Sequence, residues 1–414
     1  MSKEKIFLIT SRDLGTIGGT QISTGYLINP LGADTLLISP YQPPDKIKCR
    51  FLIVPTSQIM QPLLDIPQPN SIQNFRTRVK LEEPERLIFD HPNLYSSILF
   101  LSLPENLRGR SYAIWRSMLD TGSHYDINNK FMQIERSLMV NFLRRLQRIV
   151  GNRMGRNLAI SHAVAKSLTR IGINHDKIDI IRQQVGEEIS PEIRTKDDGH
   201  NREKYLKTDE LGVLIVSRIS PEKGLNWIPD VIKHLRTIRR FLHPDAPKKR
   251  IKICLVGGAQ KTNNISYLEN LLLNIKKSCQ RTNDFYAADS VEFEYLGEKP
   301  SSAMQELYNA FDILLQPSPA EGFGRVSVEA MIAGMIVIGR GQCEATRDIV
   351  NEPPYSIGDL ASSPEEAAEL ILQFTQDSLL LAQLQHNALL WGNGNYSLTD
   401  AISDLRVKLK LSEK

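Results

Sequence analysis

The chain has 414 residues, with 51 Lys and Arg against 47 Asp and Glu, 41% hydrophobic residues and four cysteines. That length predicts two domains, at most three, and this apolar and charged balance belongs to a folded protein rather than a disordered one. A formal net charge of +4 does not by itself imply nucleic acid, and Cys49, Cys254, Cys279 and Cys343 lie too far apart for a close-spaced zinc pattern or a disulfide scaffold.

The N-terminus, Met1-Ser2-Lys3-Glu4-Lys5, leads into Ile6–Thr10, an apolar run too short for a secretory signal and suited to a buried first strand. No stretch approaches the roughly 18 apolar residues of a membrane span. The expectation is a cytoplasmic protein, at most peripheral on the inner face of a membrane. Further strands are predicted at Thr35–Ser39, Phe51–Pro55, Leu87–Asp90, Tyr112–Trp115 and Leu158–Ser161. Gln21–Leu31 has helical character. In 128–150, Phe131, Ile134, Leu138, Phe142 and Leu146 recur at three- or four-residue spacing, the period of an amphipathic helix. Another helix stops at Gly172.

From Glu187 to Asp209 the chain turns polar and reads as an interdomain connection. A second alternation follows, with strands at Leu211–Ser217, Lys252–Val256, Val291–Leu296, Ile313–Gln316 and Met335–Ile338. Helices follow Asn226 and cover Ala303–Phe311 and Val326–Ala333. Short apolar runs alternating with amphipathic segments predict an α/β protein built of parallel sheets. Two such blocks predict two doubly wound domains with a ligand at the carboxyl ends of the strands.

Three segments could carry chemistry. In Gln316–Ala330 a strand ends, Gly322-Phe323-Gly324 turns the chain, and a helix opens near Arg325. Its N-terminus favours an anion, the glycines let a ligand approach the backbone, and Glu321 and Glu329 could accept hydrogen bonds from sugar or ribose hydroxyls. Two capping acids would leave the same pattern. Arg218 and Lys223 lie five residues apart after the first strand of the second block, and two such cations can neutralise a diphosphate without a metal. A solvated loop with a Glu222–Lys223 pair is the alternative. Leu14–Thr20 is a glycine turn after the first strand, neither G-x-G-x-x-G nor a P-loop.

Taken in order, these residues resemble the family four (group 1) retaining glycosyltransferases of GT-B fold. Gly18-Gly19 and Gly32-Ala33-Asp34 are similar to that family's opening loop, first helix and second strand. Ala159-Ile160-Ser161 and Ile178–Ile181 resemble its last N-domain strand and the run towards the linker. Arg218 and Lys223 fit its R-x-x-x-x-K-G element, Gly257-Gly258 its next glycine turn, and Glu321 and Glu329 its paired-glutamate element. Gly341-Gln342-Cys343-Glu344 and Tyr396-Ser397-Leu398 resemble its later turn and the lead into its last helix.

The resemblance implies two Rossmann-like domains facing a deep cleft, with residues 1–190 as acceptor domain, 191–208 as linker and 209–394 as donor domain. A C-terminal helix over about 395–414 would cross back to the first domain. Arg218 and Lys223 would hold the donor diphosphate, Glu321 the transferred sugar and Glu329 the ribose. Backbone at Gly18, Gly19, Gly257, Phe323 and Gly324 would line the donor. The implied partners are a nucleotide-diphosphate sugar and a hydroxyl acceptor on a glycan or lipid-linked glycan, with no metal, cofactor or nucleic acid. A cell-surface polysaccharide or glycolipid pathway is the implied setting. Many relatives carry a histidine after an N-domain strand. Here Arg116 stands at that place, with His124, His91 and His162 as other candidates. A catalytically silent nucleotide-sugar binder and a sugar-nucleotide epimerase are the alternative functions.

Arg136, Arg144, Arg145, Arg148, Arg153 and Arg156 follow Glu135 with no further acid among them. The run fits either a solvated helix face or peripheral contact with anionic lipid.

Overall fold

The computed structural model describes residues 5–11, 14, 28, 31, 34–45, 47, 49–57, 66–118, 130–183, 199–241, 249–259, 262–279 and 291–411. Contacts divide these into two compact units. One holds the residues up to 183 together with Ser397 onward, and the other holds those from 199 to Tyr396.

In the first unit the strands are Ile6–Thr10 (β1), Leu36–Ser39 (β2), Arg50–Ile53 (β3), the short pair Thr56–Ser57 (β4) and Ile66–Pro67 (β5), Arg86–Asp90 (β6), Ser111–Trp115 (β7), Arg156–Ala159 (β8) and Ile178–Ile180 (β9). All but β4 and β5 form one parallel sheet in the order β3-β2-β1-β6-β7-β8-β9. Its central strands β1 and β7 are buried along their whole length, as a sheet covered on both faces requires. β8 ends at Ala159, two residues earlier than predicted, because Ser161 caps the next helix. Its hydroxyl accepts from the Val164 N–H at 3.1 Å.

The end of the helix Lys130–Arg153 is buried at Val150 and Gly151, the helix packs against the helix Leu94–Ser102, and Gln147 Nε2 donates to the Pro92 carbonyl at 3.1 Å. Gly151 fixes the rotation of the helix. A Cβ there would lie 2.5 Å from Ile173 Cδ1, and the Gly151 carbonyl accepts from Asn157 Nδ2 at 3.0 Å. Leu138 and Phe142, two residues of the predicted stripe, are turned outward, 67% and 52% exposed.

The second unit contains Glu210–Val216 (β10), Arg250–Val256 (β11), Val291–Gly297 (β12), Ile313–Gln316 (β13), Ile336–Arg340 (β14) and Gly358–Ala361 (β15). They form a parallel sheet ordered β12-β11-β10-β13-β14-β15. Leu211, Val213 and Ile215 of β10 meet Ile228, Val231, Ile232 and Leu235 of the helix Trp227–Phe241 in its core. β15 was not among the predicted strands, since Gly358-Asp359-Leu360-Ala361 has neither a continuous apolar run nor clean alternation.

The polar connection contains a helix. The helix Gly199–Tyr205 places Arg202 against Asp312, with Nη1–Oδ1 at 2.9 Å and Nη2–Oδ2 at 3.0 Å, and Asp312 Oδ2 also accepts from the Gly212 N–H. The helix Leu398–Lys408 belongs to the first unit, as the resemblance implied. Arg86 Nε donates to the Leu409 carbonyl at 2.8 Å, and the Arg182 N–H to Asp404 Oδ2 at 2.7 Å. Among the described residues no helix is long and apolar enough to cross a membrane.

Candidate active site

In the second unit the strand order reverses beside β10, which pairs with β11 on one side and β13 on the other. The loops leaving adjacent strands at such a reversal diverge and open a crevice at their carboxyl ends. The loop after β10 carries Lys223 and the loop after β13 carries Glu321. Lys223 Nζ donates to Glu321 Oε1 at 2.6 Å, and both side chains are 17% exposed. Gly224 makes this approach feasible. Its φ is +66°, and a Cβ would stand 2.3 Å from the Pro317 carbonyl oxygen, so only glycine lets the two loops seat on one another. Gln316 Nε2 reaches the same Glu321 oxygen at 3.4 Å, and its buried Oε1 has no hydrogen-bond partner among the described residues.

Gly257, after β11, closes the third side. Its φ is +153° and a Cβ would fall 1.7 Å from the Ser217 carbonyl oxygen. Its own carbonyl accepts from Tyr295 Oη at 2.7 Å, while the Ile219 N–H donates to Gly258 at 3.0 Å. Arg218 stands with Lys223 on the loop after β10 but points outward. Its side chain is 61% exposed and lies 3.8 Å from Glu222, so the structure joins Lys223, and not Arg218, to the paired glutamates. Glu222 thus faces Arg218 rather than Lys223.

The helix Arg325–Ile332 starts at Gly324 with no side-chain cap and no acid in its first turn, which leaves its leading amides for an anion. Phe323 beside it stacks edge-on to Tyr396, ring centroids 6.0 Å apart. Glu329 is held from two sides. Tyr308 Oη donates to Oε2 at 2.8 Å and Arg325 Nε to Oε1 at 2.5 Å. Complete burial, and then the Glu329 charge, push the Tyr308 phenol well above its usual range, so it stays a protonated donor. Neither partner was predicted. Arg325 left a signal, four residues before Glu329 on one helix face, whereas Tyr308 sits on the helix Ser301–Ala310 with no local relation to Glu329. Cys343, one residue before Glu344 opens the next helix, is fully buried, and burial raises its thiol pKa.

Of the other candidates, Gly18, Gly19 and His124 lie outside the described residues. Arg116 is in the first unit, buried beside the end of β7, with Nε 2.5 Å from Asp90 Oδ1 at the end of β6. His91 follows Asp90 with φ +53°. Its Nδ1 accepts from the Arg116 N–H at 3.3 Å, which leaves Nε2 to carry the proton towards Ser117 Oγ at 3.2 Å. His162 is the first residue of the helix that Ser161 caps. Among the described residues no group of His, Cys, Asp and Glu is arranged to hold a metal ion.

Two parallel α/β sheets, each with strand order reversed beside its first strand, are the GT-B architecture. The solved structure of HepE from Anabaena in complex with UDP is similar over 98% of this chain and 99% of that one, with TM-score 0.71 at 16% identity. Sucrose-phosphate synthase from Thermosynechococcus elongatus is similar over 98% of each chain, with TM-score 0.72 at 17% identity. WaaG, a glycosyltransferase involved in lipopolysaccharide biosynthesis, covers 97% of this chain and 99% of its own at TM-score 0.68 and 13% identity. No curated protein matches in sequence. Residues 197–391, the segment that carries Lys223, Glu321 and Glu329, match the family described as glycosyl transferases group 1.

Proposed function

We propose that this protein transfers a sugar from a nucleotide-diphosphate sugar to a hydroxyl acceptor with retention at the anomeric carbon. The observation that carries this reading is the Lys223–Glu321 contact across the two loops at the strand-order reversal. There a cation, glycine turns and uncapped helix amides offer a diphosphate site, and Glu321 and Glu329 offer acceptors for hydroxyls. Lys223, joined by Arg218 on turning inward, neutralises the charge that develops on the departing nucleotide, so no metal is required. Glu321 contacts the transferred sugar and Glu329 the ribose. The acceptor is a hydroxyl on a glycan or a lipid-linked glycan of a cell-surface pathway.

HepE, one of the similar structures, was solved with UDP and with UDP-glucose, which makes a UDP-sugar the first donor to test. A thermal-shift series of UDP-, GDP- and ADP-sugars should raise the melting temperature with one base only, by about 3 kcal/mol of stabilisation at a hundredfold excess over Kd. No shift with any of them would end the proposal. Hydrolysis or transfer by the wild type that disappears in Arg218→Ala and Glu329→Ala separates an enzyme from a silent binder.

Tyr308→Phe tests the support of Glu329. A hydrogen bond to a charged group is worth roughly 1.5–3 kcal/mol, so the variant should bind donor about tenfold more weakly. Its kcat should change less, because ribose lies away from the reacting carbon. Unchanged donor KM would show that Glu329 does not need this phenol.

A further inference from the structure

Arg340 ends β14, immediately before the turn Gly341-Gln342-Cys343. Its guanidinium carbon lies 4.6 Å from the centre of the Trp227 ring. A guanidinium is planar and weakly hydrated, so the face of an indole attracts it where no anion stands by. Among the described residues Arg340 forms no ion pair, and its buried Nε has no hydrogen-bond partner. Nη2 donates to Gln342 Oε1 at 3.0 Å. The turn itself is anchored. The Cys343 N–H donates to the Arg340 carbonyl at 2.9 Å, and the Gly341 N–H to the Ala361 carbonyl at 2.8 Å.

Trp227 closes the loop that carries Lys223. It is buried at the start of the helix Trp227–Phe241, and its N–H donates to the Gly224 carbonyl at 3.1 Å. Gly224 is the residue seated on Pro317, and Lys223 directly precedes it. Within the loop the Lys223 N–H donates to the Ser220 carbonyl at 3.1 Å and the Gly224 N–H to that of Pro221 at 3.2 Å. We infer that Arg340 is a positioning residue, which clamps Trp227 and so holds the backbone of Lys223 where its ammonium reaches Glu321. This role rests on the proposed transfer reaction, in which Lys223 meets the donor diphosphate, and Arg340 itself does not touch the donor. Without the clamp the loop samples other conformations, and the ammonium spends less of its time in place. A cation–π contact partly shielded from water is strong enough to shift such populations about tenfold.

Amide hydrogen exchange and donor kinetics of the full chain test this role together. R340Q should exchange the amides of Lys223, Gly224 and Trp227 about tenfold faster while melting at the wild-type temperature. Its kcat/KM for the donor should fall by a similar factor. On the residual turnover of K223A, adding R340Q should cost nothing further, because a residue that acts through Lys223 then has nothing to place. R340K keeps the charge without the planar stack and should fall between R340Q and the wild type. Wild-type exchange of these amides in R340Q overturns the inference, and so does a tenfold loss that persists in the K223A background. No donor turnover by the wild type would end the transfer reading instead, and the exchange rates would still decide whether Arg340 holds the loop.

Discussion

Lys223→Ala is expected to lower kcat/KM for the donor by about 10²–10³-fold, the usual cost of removing one preorganised group that stabilises developing charge. Its melting temperature should move little, because a partly exposed ion pair contributes roughly 0–1 kcal/mol. In the free protein Lys223 Nζ rests on Glu321 at 2.6 Å, so the carboxylate holds the ammonium where a diphosphate would meet it. Lys223→Arg should not restore activity, since a planar fork cannot take the place of a compact ammonium between Glu321 and the Gly224–Pro317 contact. Initial rates against donor concentration, together with thermal unfolding, provide the check. Full turnover by Lys223→Ala would detach the cation from the chemistry.

Arg116→Ala is expected to destabilise the first unit by about 3–5 kcal/mol, because it removes the guanidinium from a carboxylate that stays buried. The side chains of Arg116 and Asp90 are 2% and 0% exposed, and the pair ties the end of β7 to the end of β6. The double variant Asp90→Leu/Arg116→Met should recover much of the loss, since two well-packed apolar residues often match a buried pair. Urea unfolding followed by a probe in this unit reads the effect. An unchanged midpoint with lost turnover would instead put Arg116 on the substrate.

Specific segments show what a linear reading reaches. Ile313–Gln316 was predicted to the residue, and Ile6–Thr10 likewise, because a buried parallel strand is a continuous apolar run with a polar residue at each end. The stop of the helix His162–Arg170 was legible at Gly172, whereas Ser161, its cap, was read as the end of the strand before it. The helix Lys130–Arg153 was legible in its period, but the exposure of Leu138 and Phe142 was not. Which face turns inward depends on Gly151 meeting Ile173 and Asn157, a contact between elements. Likewise the polar run before β10 reads as a connection, whereas Arg202 finds Asp312 more than a hundred residues away.

The same division runs through the site. Residue type and order along the chain determined the two parallel sheets, the glycine turns at Gly257 and Gly324, and Lys223, Glu321 and Glu329 as candidates, because strand period, turn chemistry and helix starts are properties of neighbours in sequence. Tertiary structure alone decided that Lys223 meets Glu321 while Arg218 turns to Glu222, and that Tyr308 grips Glu329. It also decided that Arg116 lies against Asp90. Those partners are set by which strands lie side by side in the sheet, and hydrogen bonds and ion pairs of a few ångströms form only after packing has brought distant segments together.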